Sequence, residues 1–142
     1  MWALQPGRTA PALAEWAAAH HPQAILVVSP HWMTRGGTVA MTTAQPATWH
    51  DFGGFAPELY ALQYPAQGAP ALGERAAQLL AQAGMAVATD DQRPFDHGAW
   101  VPLRYMWPQA DVPVAQLSLP SGFSPQALMA MGAALSPLRD EG

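Results

Sequence analysis

Apolar residues along the chain form short runs of β type, separated by segments in which they recur at helical spacing. The first run, Ala24–Ser29, is continuous, contains β-branched residues and predicts a buried strand of a parallel sheet. Later runs predict strands over Thr38–Thr42, Met85–Thr89 and Val112–Leu119. Because strands and helices largely alternate, the pattern predicts an α/β fold with a largely parallel sheet flanked by helices.

Two helical segments surround the first pair of strands. Thr9 is predicted to cap a helix that runs to about His20 and has Trp16 on its apolar face. Pro70 opens a second helix, and Gly84 is placed directly after its end. The stretch between residues 44 and 69 shows little periodicity and is predicted to be a long loop.

Two more helices are predicted in the second half of the chain. Asp96 caps one of them, in which Pro102 fits only if it falls in the first turn. Ser124 and Pro125 form an N-cap and N1 pair for the last. The sequence enters on a helix and stops on one, where an α/β pattern usually supplies a strand. We therefore expect residues 1–142 to form a domain that is incomplete at both ends.

Composition and charge limit the partners of this domain. Half of the 142 residues are hydrophobic, enough for one domain with a real core. The net charge is -4 and the six basic residues, all arginines, are scattered, so no basic stripe is available for nucleic acid. No apolar run approaches membrane-spanning length, and no secretion signal opens the sequence. We expect a cytoplasmic protein without nucleic-acid or membrane partners.

The first strand ends in a candidate metal ligand, His31. Ligands of open α/β sheets gather at the carboxyl ends of the strands, and Pro30 holds Ser29 extended, which helps to fix the direction of His31. The chain has no cysteine, so a metal must be held by histidines and carboxylates. Taken alone, a histidine at a strand end is more often a structural or surface residue than a ligand.

Three short segments concentrate histidine with glycine and aromatic residues: Ser29–Trp32, His50–Phe55 and Phe95–Trp100. Glycine lets the backbone approach a ligand closely, and aromatic walls exclude water and stack on planar molecules. Together the segments predict a site for a flat molecule.

These segments, in this order and spacing, resemble the class III extradiol ring-cleavage dioxygenases, in particular the DOPA 4,5-dioxygenase-like branch. Supporting segments extend the resemblance over essentially the whole chain: Leu59-Tyr60, Tyr64-Pro65-Ala66 and Val114–Ser118. The resemblance implies an enzyme that, in complete form, inserts both atoms of O2 into a catechol and opens its ring to a semialdehyde. It also implies one metal ion, Fe(II) or, in isolated proteins, zinc.

The resemblance assigns roles to two residues of this sequence, and two neighbouring residues are predicted to line the site. His31 matches a metal ligand, and His97 matches a catalytic-site histidine that contacts substrate or oxygen. His50, in the second of the three segments, and Trp32, beside His31, are predicted to bind substrate. From the residues alone, His97 could instead be a helix-start residue beside its cap, and the segment around His50 could be a turn in a surface loop.

The sequence also departs from the family pattern. The family's first ligand lies in a His-Gly-Ser-Pro segment ahead of the residue that aligns with Met1, and its later histidines align beyond Gly142. One imidazole cannot hold Fe(II) usefully, so we expect an incomplete ligand set and an inactive chain. An uncovered sheet edge predicts self-association. The alternatives are a non-catalytic binding or scaffold relative and a zinc-dependent hydrolase, for which no HExxH-like pair exists.

Overall fold

The computed structural model describes residues 3–5 and 7–141 as five α-helices, four strands and a terminal 3-10 helix. The helices are α1 (Thr9–Ala18), α2 (Pro57–Tyr60), α3 (Pro70–Gln82), α4 (His97–Met106) and α5 (Pro125–Ala134), and Ser136–Arg139 form the 3-10 turn. The strands are β1 (Ile25–Arg35), β2 (Thr38–Met41), β3 (Val87–Asp90) and β4 (Val114–Ser121). Among these residues no helix is both long and apolar enough to cross a bilayer.

The four strands form one sheet in the order β1-β4-β2-β3. β1 and β4 pair in parallel, as do β2 and β3, whereas β2 and β4 meet antiparallel at the single pair Ala40 and Leu117. The predicted α/β class with a largely parallel sheet and flanking helices is confirmed.

The first strand is longer than predicted and does not end at Ser29. β1 continues to Arg35, but its pairing with β4 shifts between Val28, opposite Leu117, and Met33, opposite Leu119. Residues 29–32 therefore lie opposite one residue of β4 and bulge out of the ladder. His31 belongs to this bulge and not to a strand end, because the partner strand resumes pairing beyond it.

Two hydrophobic clusters form the core on the two sides of the sheet. One contains large buried aromatic residues, including Tyr64, Phe95 and Trp100, and lies beneath the histidine-rich segments. The other joins Leu80 of α3 to Leu117 of β4. The aromatic cluster supports the site described below.

The ends of α1 differ from the prediction. Arg8 occupies the N-cap position and makes no side-chain capping bond, so Thr9 is the first helical residue and not the cap. The helix ends at Ala18, and His20 lies beyond it, with Nδ1 donating to the Trp16 carbonyl at 2.7 Å and its ring stacked on Trp16. Trp16 is 53% exposed, because the small Ala10 and Ala17 fill the buried face instead.

The caps of the later helices are confirmed, but the position of Pro102 is not. Ser124 accepts a bond from the Ala127 amide, and Gly84 follows α3 with φ +77°, where a side chain would be strained. α4 begins at His97, which places Pro102 in the second turn, inside the helix.

The predicted loop between residues 44 and 69 contains the short helix α2, which the sequence pattern did not indicate. Single bridges from Thr48 to Phe95 and from Gly68 to Val114 fasten this segment to the start of α4 and to β4. The loop is thereby held against the sheet edge where the histidines lie.

Candidate functional site

The bulge of β1 presents His31 at the surface while the residue before Pro30 is anchored in the interior. Ser29 is completely buried, and its Oγ donates to Asp96 Oδ1 at 2.6 Å and accepts from the His31 amide at 3.2 Å. The side chain of His31 is 40% exposed. A buried hydroxyl therefore fixes the backbone from which an accessible imidazole projects.

The N-terminus of α4 carries the second histidine of the site. Asp96, fully buried, is the N-cap and accepts from the Ala99 amide at 3.2 Å, from Gln116 Nε2 at 2.8 Å and from Arg93 Nη2 at 3.1 Å. Because Asp96 also accepts a hydrogen bond from the Ser29 hydroxyl, this one carboxylate holds both the bulge of β1 and the start of α4 in place. His97, the first residue of α4, is thus placed beside His31.

Gly98 permits this close approach of α4 to β1. A Cβ at this position would overlap Ser29 Oγ and would lie 2.8 Å from His31 Cδ2 and 3.1 Å from Asp96 Oδ1. Only glycine leaves enough room for these groups without a shift of the backbone.

Asp51, from the long loop, brings a carboxylate to the two imidazoles. Its Oδ1 accepts hydrogen bonds from the His97 amide at 2.8 Å and from His97 Nδ1 at 2.9 Å. Its Oδ2 lies 3.4 Å from His31 Nδ1, and the two imidazole centroids are 4.0 Å apart. Two histidines and one carboxylate from three separate segments therefore form a compact cluster.

The environment keeps Asp51 ionised. Burial by itself raises the pKa of this carboxyl, but the hydrogen bonds from the amide and ring of His97, together with the charge of His97, outweigh burial and lower the pKa below its ordinary value of 3.8. The cluster therefore contains a negative charge at neutral pH, which suits a bound cation.

An aromatic wall borders the cluster on one side. The ring of Phe52 stands at 90° to that of His97, with 5.3 Å between centroids, and also contacts Tyr60 and Trp100. His50 lies behind Phe52, at 5.7 Å between centroids, and its Nε2 donates to the Leu62 carbonyl at 2.9 Å. Because that carbonyl occupies one ring nitrogen, His50 is anchored beside the wall and not among the clustered ligand atoms.

Trp32, the neighbour of His31 in the sequence, is buried, with 7% of its surface exposed. The guanidinium of Arg93 lies over its ring at 4.5 Å and over the ring of Trp49 at 5.0 Å. Arg93 also pairs with Asp96, and its Nε is buried without a hydrogen-bond partner among the described residues. Trp32 therefore packs against the support of the site through at least one ring face.

The cluster has the size and the donor atoms of a metal site. One ligand atom each from His31, Asp51 and His97 can be chosen so that all lie within 4.8 Å of one another. Two atoms bound to one ion at about 2.1 Å are at most about 4.2 Å apart, so small movements would close the set. Two imidazoles and one carboxylate are donor types that non-haem Fe(II) sites use, so the chemistry of the cluster fits such an ion, whichever of the three residues bind it.

Several grooves of the molecule lie away from the cluster. One of about 680 Å³ is lined by Trp16, Leu26, Leu72 and Leu138, among others, near the start of β1. Its lining is mainly apolar and lacks the paired imidazoles and carboxylate found around His31. The chemistry-bearing side chains therefore lie outside this groove.

The structure brings together two of the four residues that the sequence assigned to the site. His31 and His97 are in contact, whereas His50 and Trp32 lie in the supporting layers, and their substrate roles stay predictions. The sequence reasoning did not assign Asp51 to the site, and it left the segment of His50 and Asp51 open between a site role and a turn in a surface loop. The signal that could have found it is the lack of cysteine. Without cysteine, a metal must be held by histidines and carboxylates, and Asp51 is the carboxylate next to His50.

Comparison with protein families gives one match over nearly the whole chain. Residues 9–142 match the model of the catalytic LigB subunit of aromatic ring-opening dioxygenase. The matched range includes all three segments that supply the cluster.

Curated relatives agree with this match. A protein of Escherichia coli (strain K12) named 4,5-DOPA dioxygenase extradiol is 50% identical over 123 residues, which are 85% of this chain and 44% of that protein. A protein of Beta vulgaris with the same name is 47% identical over 122 residues, covering 85% of this chain and 45% of that protein. The chain spans somewhat less than half the length of these relatives.

A solved structure shares the fold. The crystal structure of an uncharacterised protein from Escherichia coli K12 superposes with a TM-score of 0.76 at 36% identity, covering 96% of this chain and 50% of that one. The arrangement of helices and strands described above is therefore found within a larger chain.

Proposed function

Because the chain belongs to the LigB family of aromatic ring-opening dioxygenases, the metal-dependent class III extradiol enzymes, we propose that it forms part of an enzyme that opens the ring of a catechol with O2. The substrate proposed is a DOPA-like catechol, since relatives carry the name 4,5-DOPA dioxygenase extradiol. Residues 1–142 would then be part of one extradiol domain.

The observation that carries this proposal is the convergence of His31 and His97 at one edge of the sheet. Their rings are 4.0 Å apart, and a carboxylate contacts both. The convergence is built from a strand bulge, a loop and a helix start that are distant in sequence. The ring of His31 is 40% exposed, so an ion or a substrate can reach it.

The proposed roles follow from the geometry and the family. His31 would be a metal ligand, and the bound ion, proposed as Fe(II) with Zn(II) as the alternative, would supply electron transfer between catechol and O2. His97 would contact the substrate or oxygen through its second ring nitrogen. In the overall reaction, one ring C–C bond beside the hydroxyls breaks, and both oxygen atoms of O2 enter the product, giving a carboxylate and an aldehyde.

The aromatic wall has a separate role in this proposal. Phe52 and Tyr60 offer faces and edges for a flat ring and reduce the access of water to the cluster. The inner layer, where Trp32 stacks with Arg93, would keep the wall and the bulge in place. For His50 or Trp32 to contact the substrate, the substrate would have to pass through this layer of side chains.

We propose that the ligand set within these residues is incomplete for catalysis, because His31 is the single family ligand that the resemblance assigns here. The test compares the 142-residue chain with the protein translated from the whole locus, both loaded anaerobically with Fe(II) and mixed with L-DOPA and O2. We expect yellow ring-opened product from the locus-encoded protein and none from the chain alone.

Matched variants separate the function from the completeness of the site. His31→Ala in the locus-encoded protein should abolish product, whereas His21→Ala, an exposed histidine away from the cluster, should leave the rate unchanged. Absence of ring opening with a panel of catechols would overturn the function and favour a binding or scaffold role. Turnover by the 142-residue chain would show instead that its own residues complete the site.

Self-association is a further proposal, carried by the exposed edge strand. β1 is at one edge of the sheet, and Val28 and Met33 on it are 44% and 55% exposed. An uncovered strand with apolar side chains favours pairing with another chain. Light scattering should show species larger than 15.1 kDa, and a stable monomer at high concentration would contradict this prediction.

A further inference from the structure

Asp51 is the group in the cluster to which neither sequence nor family comparison assigns a role. It comes from a loop and lies 46 residues before His97 in the sequence. The backbone amide and the ring Nδ1 of His97 nevertheless both donate to the same oxygen, Asp51 Oδ1. The side chain of Asp51 is 9% exposed, so water does not compete freely for these bonds. The interaction is specific in position and is protected from solvent.

The hydrogen bond from the ring to Asp51 allows only one tautomer of the neutral His97 ring. An ionised carboxylate has acceptors and no donor, so Nδ1 at 2.9 Å from Oδ1 must carry the proton. Neutral imidazole has one N–H, and Nε2 is then a bare acceptor. No hydrogen bond occupies His97 Nε2 in the part of the chain that the structure describes.

The surroundings also restrain rotation of the ring. A flip of His97 would place Cδ2 against Oδ1 and lose the Nδ1 bond. Phe52, perpendicular at 5.3 Å, and His31, at 4.0 Å, border the ring. Position and tautomer are therefore fixed together by a single carboxylate.

We propose that Asp51 is a positioning residue that locks His97 in the Nδ1–H tautomer, so that Nε2 accepts a hydrogen bond from a hydroxyl group of the aromatic substrate. This inference rests on the proposed function for the identity of the ligand, whereas the tautomer itself is a property of the chain alone. An aromatic diol has the donors that a bare Nε2 recognises, and a ring with both hydroxyls methylated does not.

The geometry also distinguishes this role from that of a metal ligand. The amide and the ring of His97 already use both lone pairs of Oδ1, and Oδ2 faces His31 Nδ1 at 3.4 Å. To bind an ion through Oδ1, Asp51 would have to release His97. Positioning is thus the role that retains the observed bonds.

The experiment uses ¹⁵N NMR of the metal-free 142-residue chain at a pH where histidines are neutral. The chain has five histidines, and the ring signals of His97 are assigned by their loss in His97→Gln. We expect a protonated, pyrrole-type Nδ1 and an unprotonated, pyridine-type Nε2. A protonated Nε2 in the unaltered chain would overturn the proposal, and this measurement needs no substitution at Asp51.

Variants then assign the effect to Asp51. Asp51→Asn keeps an oxygen that can accept both bonds and should retain the tautomer, whereas Asp51→Ala should give a mixture of tautomers. Asp91→Ala, which removes an exposed carboxylate that contacts Gln92, should change nothing at His97. An unchanged His97 spectrum in Asp51→Ala would overturn the proposal. Because no turnover is measured, failure here is distinguishable from failure of the dioxygenase function.

Substrate recognition is tested separately with the locus-encoded enzyme. Asp51→Ala should raise KM for a catechol more than it lowers metal content, measured as bound iron per chain. Loss of iron in proportion to loss of activity would instead identify Asp51 as a ligand and overturn its positioning role.

Discussion

Two carboxylates near the start of α4 illustrate the difference between a support and a site. Asp96 is completely buried, and its bonds to Ser29, Arg93, Gln116 and the helix amide serve to hold backbone segments in place. Asp51 is 9% exposed and contacts two more accessible imidazoles, of which His31 is 40% and His97 20% exposed. The first carboxylate gives the site rigidity, and the second leaves reactive atoms available.

The largest effect is expected from Asp96→Ala. Removing this carboxylate leaves the Arg93 guanidinium buried without its partner and also removes the cap of α4. Breaking a buried ion pair costs about 3–5 kcal/mol, a large part of the roughly 5–15 kcal/mol by which folded domains are stable. Urea denaturation followed by circular dichroism measures the loss. A decrease below about 1 kcal/mol would show that Asp96 is not the support that its bonds indicate.

Gly98→Ala should have the next largest effect, because the added Cβ overlaps Ser29 Oγ and crowds His31. Overpacking of this kind costs about 1–3 kcal/mol and should displace His31 from His97. Gly132→Ala is the control: its Cβ would meet nothing within 4 Å, and alanine should stabilise α5 by about 0.5–1 kcal/mol. Equal effects of the two substitutions on the free energy of unfolding would contradict the close packing at Gly98.

Asp51→Asn should destabilise the protein less, by about 1 kcal/mol near neutral pH, since the hydrogen bonds remain and the charge is lost. The folded-state pKa of Asp51 lies below the unfolded value of 3.8, so the ionised carboxylate contributes stability above 3.8 that is lost as pH falls through the folded pKa. The difference between wild type and variant should therefore shrink in acid. Denaturation curves at several pH values check this, and a difference that grows in acid would contradict it.

The smallest effect is expected at an exposed carboxylate. Glu141 pairs with Arg75 at 2.7 Å on the surface, and the hydrogen bond lowers the pKa of Glu141. Water screens such pairs, so Glu141→Gln should leave the denaturation midpoint unchanged within error. A shift of the denaturation midpoint as large as that of Asp51→Asn would contradict this, because it would mean that the contribution of Asp96, Asp51 and Glu141 to stability does not follow their burial.

Local signals in the sequence predicted much of what surrounds the site. The caps at Asp96 and Ser124 were readable because a cap bonds to an amide only three residues away. The end of α3 at Gly84 was readable for the same reason, since its positive φ depends on the absence of a side chain. The family resemblance, confirmed by the match to residues 9–142, rested on three such local segments.

Other features could not be read because their cause lies in a distant segment. The bulge in β1 depends on how β4 resumes pairing at Met33, and the predicted strand therefore stopped too early. In extended backbone, neighbouring side chains such as His31 and Trp32 point to opposite faces. Which of the two faces is covered depends on distant residues, because Arg93 packs over the rings of Trp32 and Trp49.

The sequence by itself determined the α/β class, the starts of α3, α4 and α5 and the identity of the family, since these depend on periodicity, caps and short motifs. Only the tertiary structure decided that Asp51, and not His50, joins His31 and His97. The reason is that a hydrogen bond across 46 residues depends on how the loop is fastened to α4, and no local pattern records that attachment.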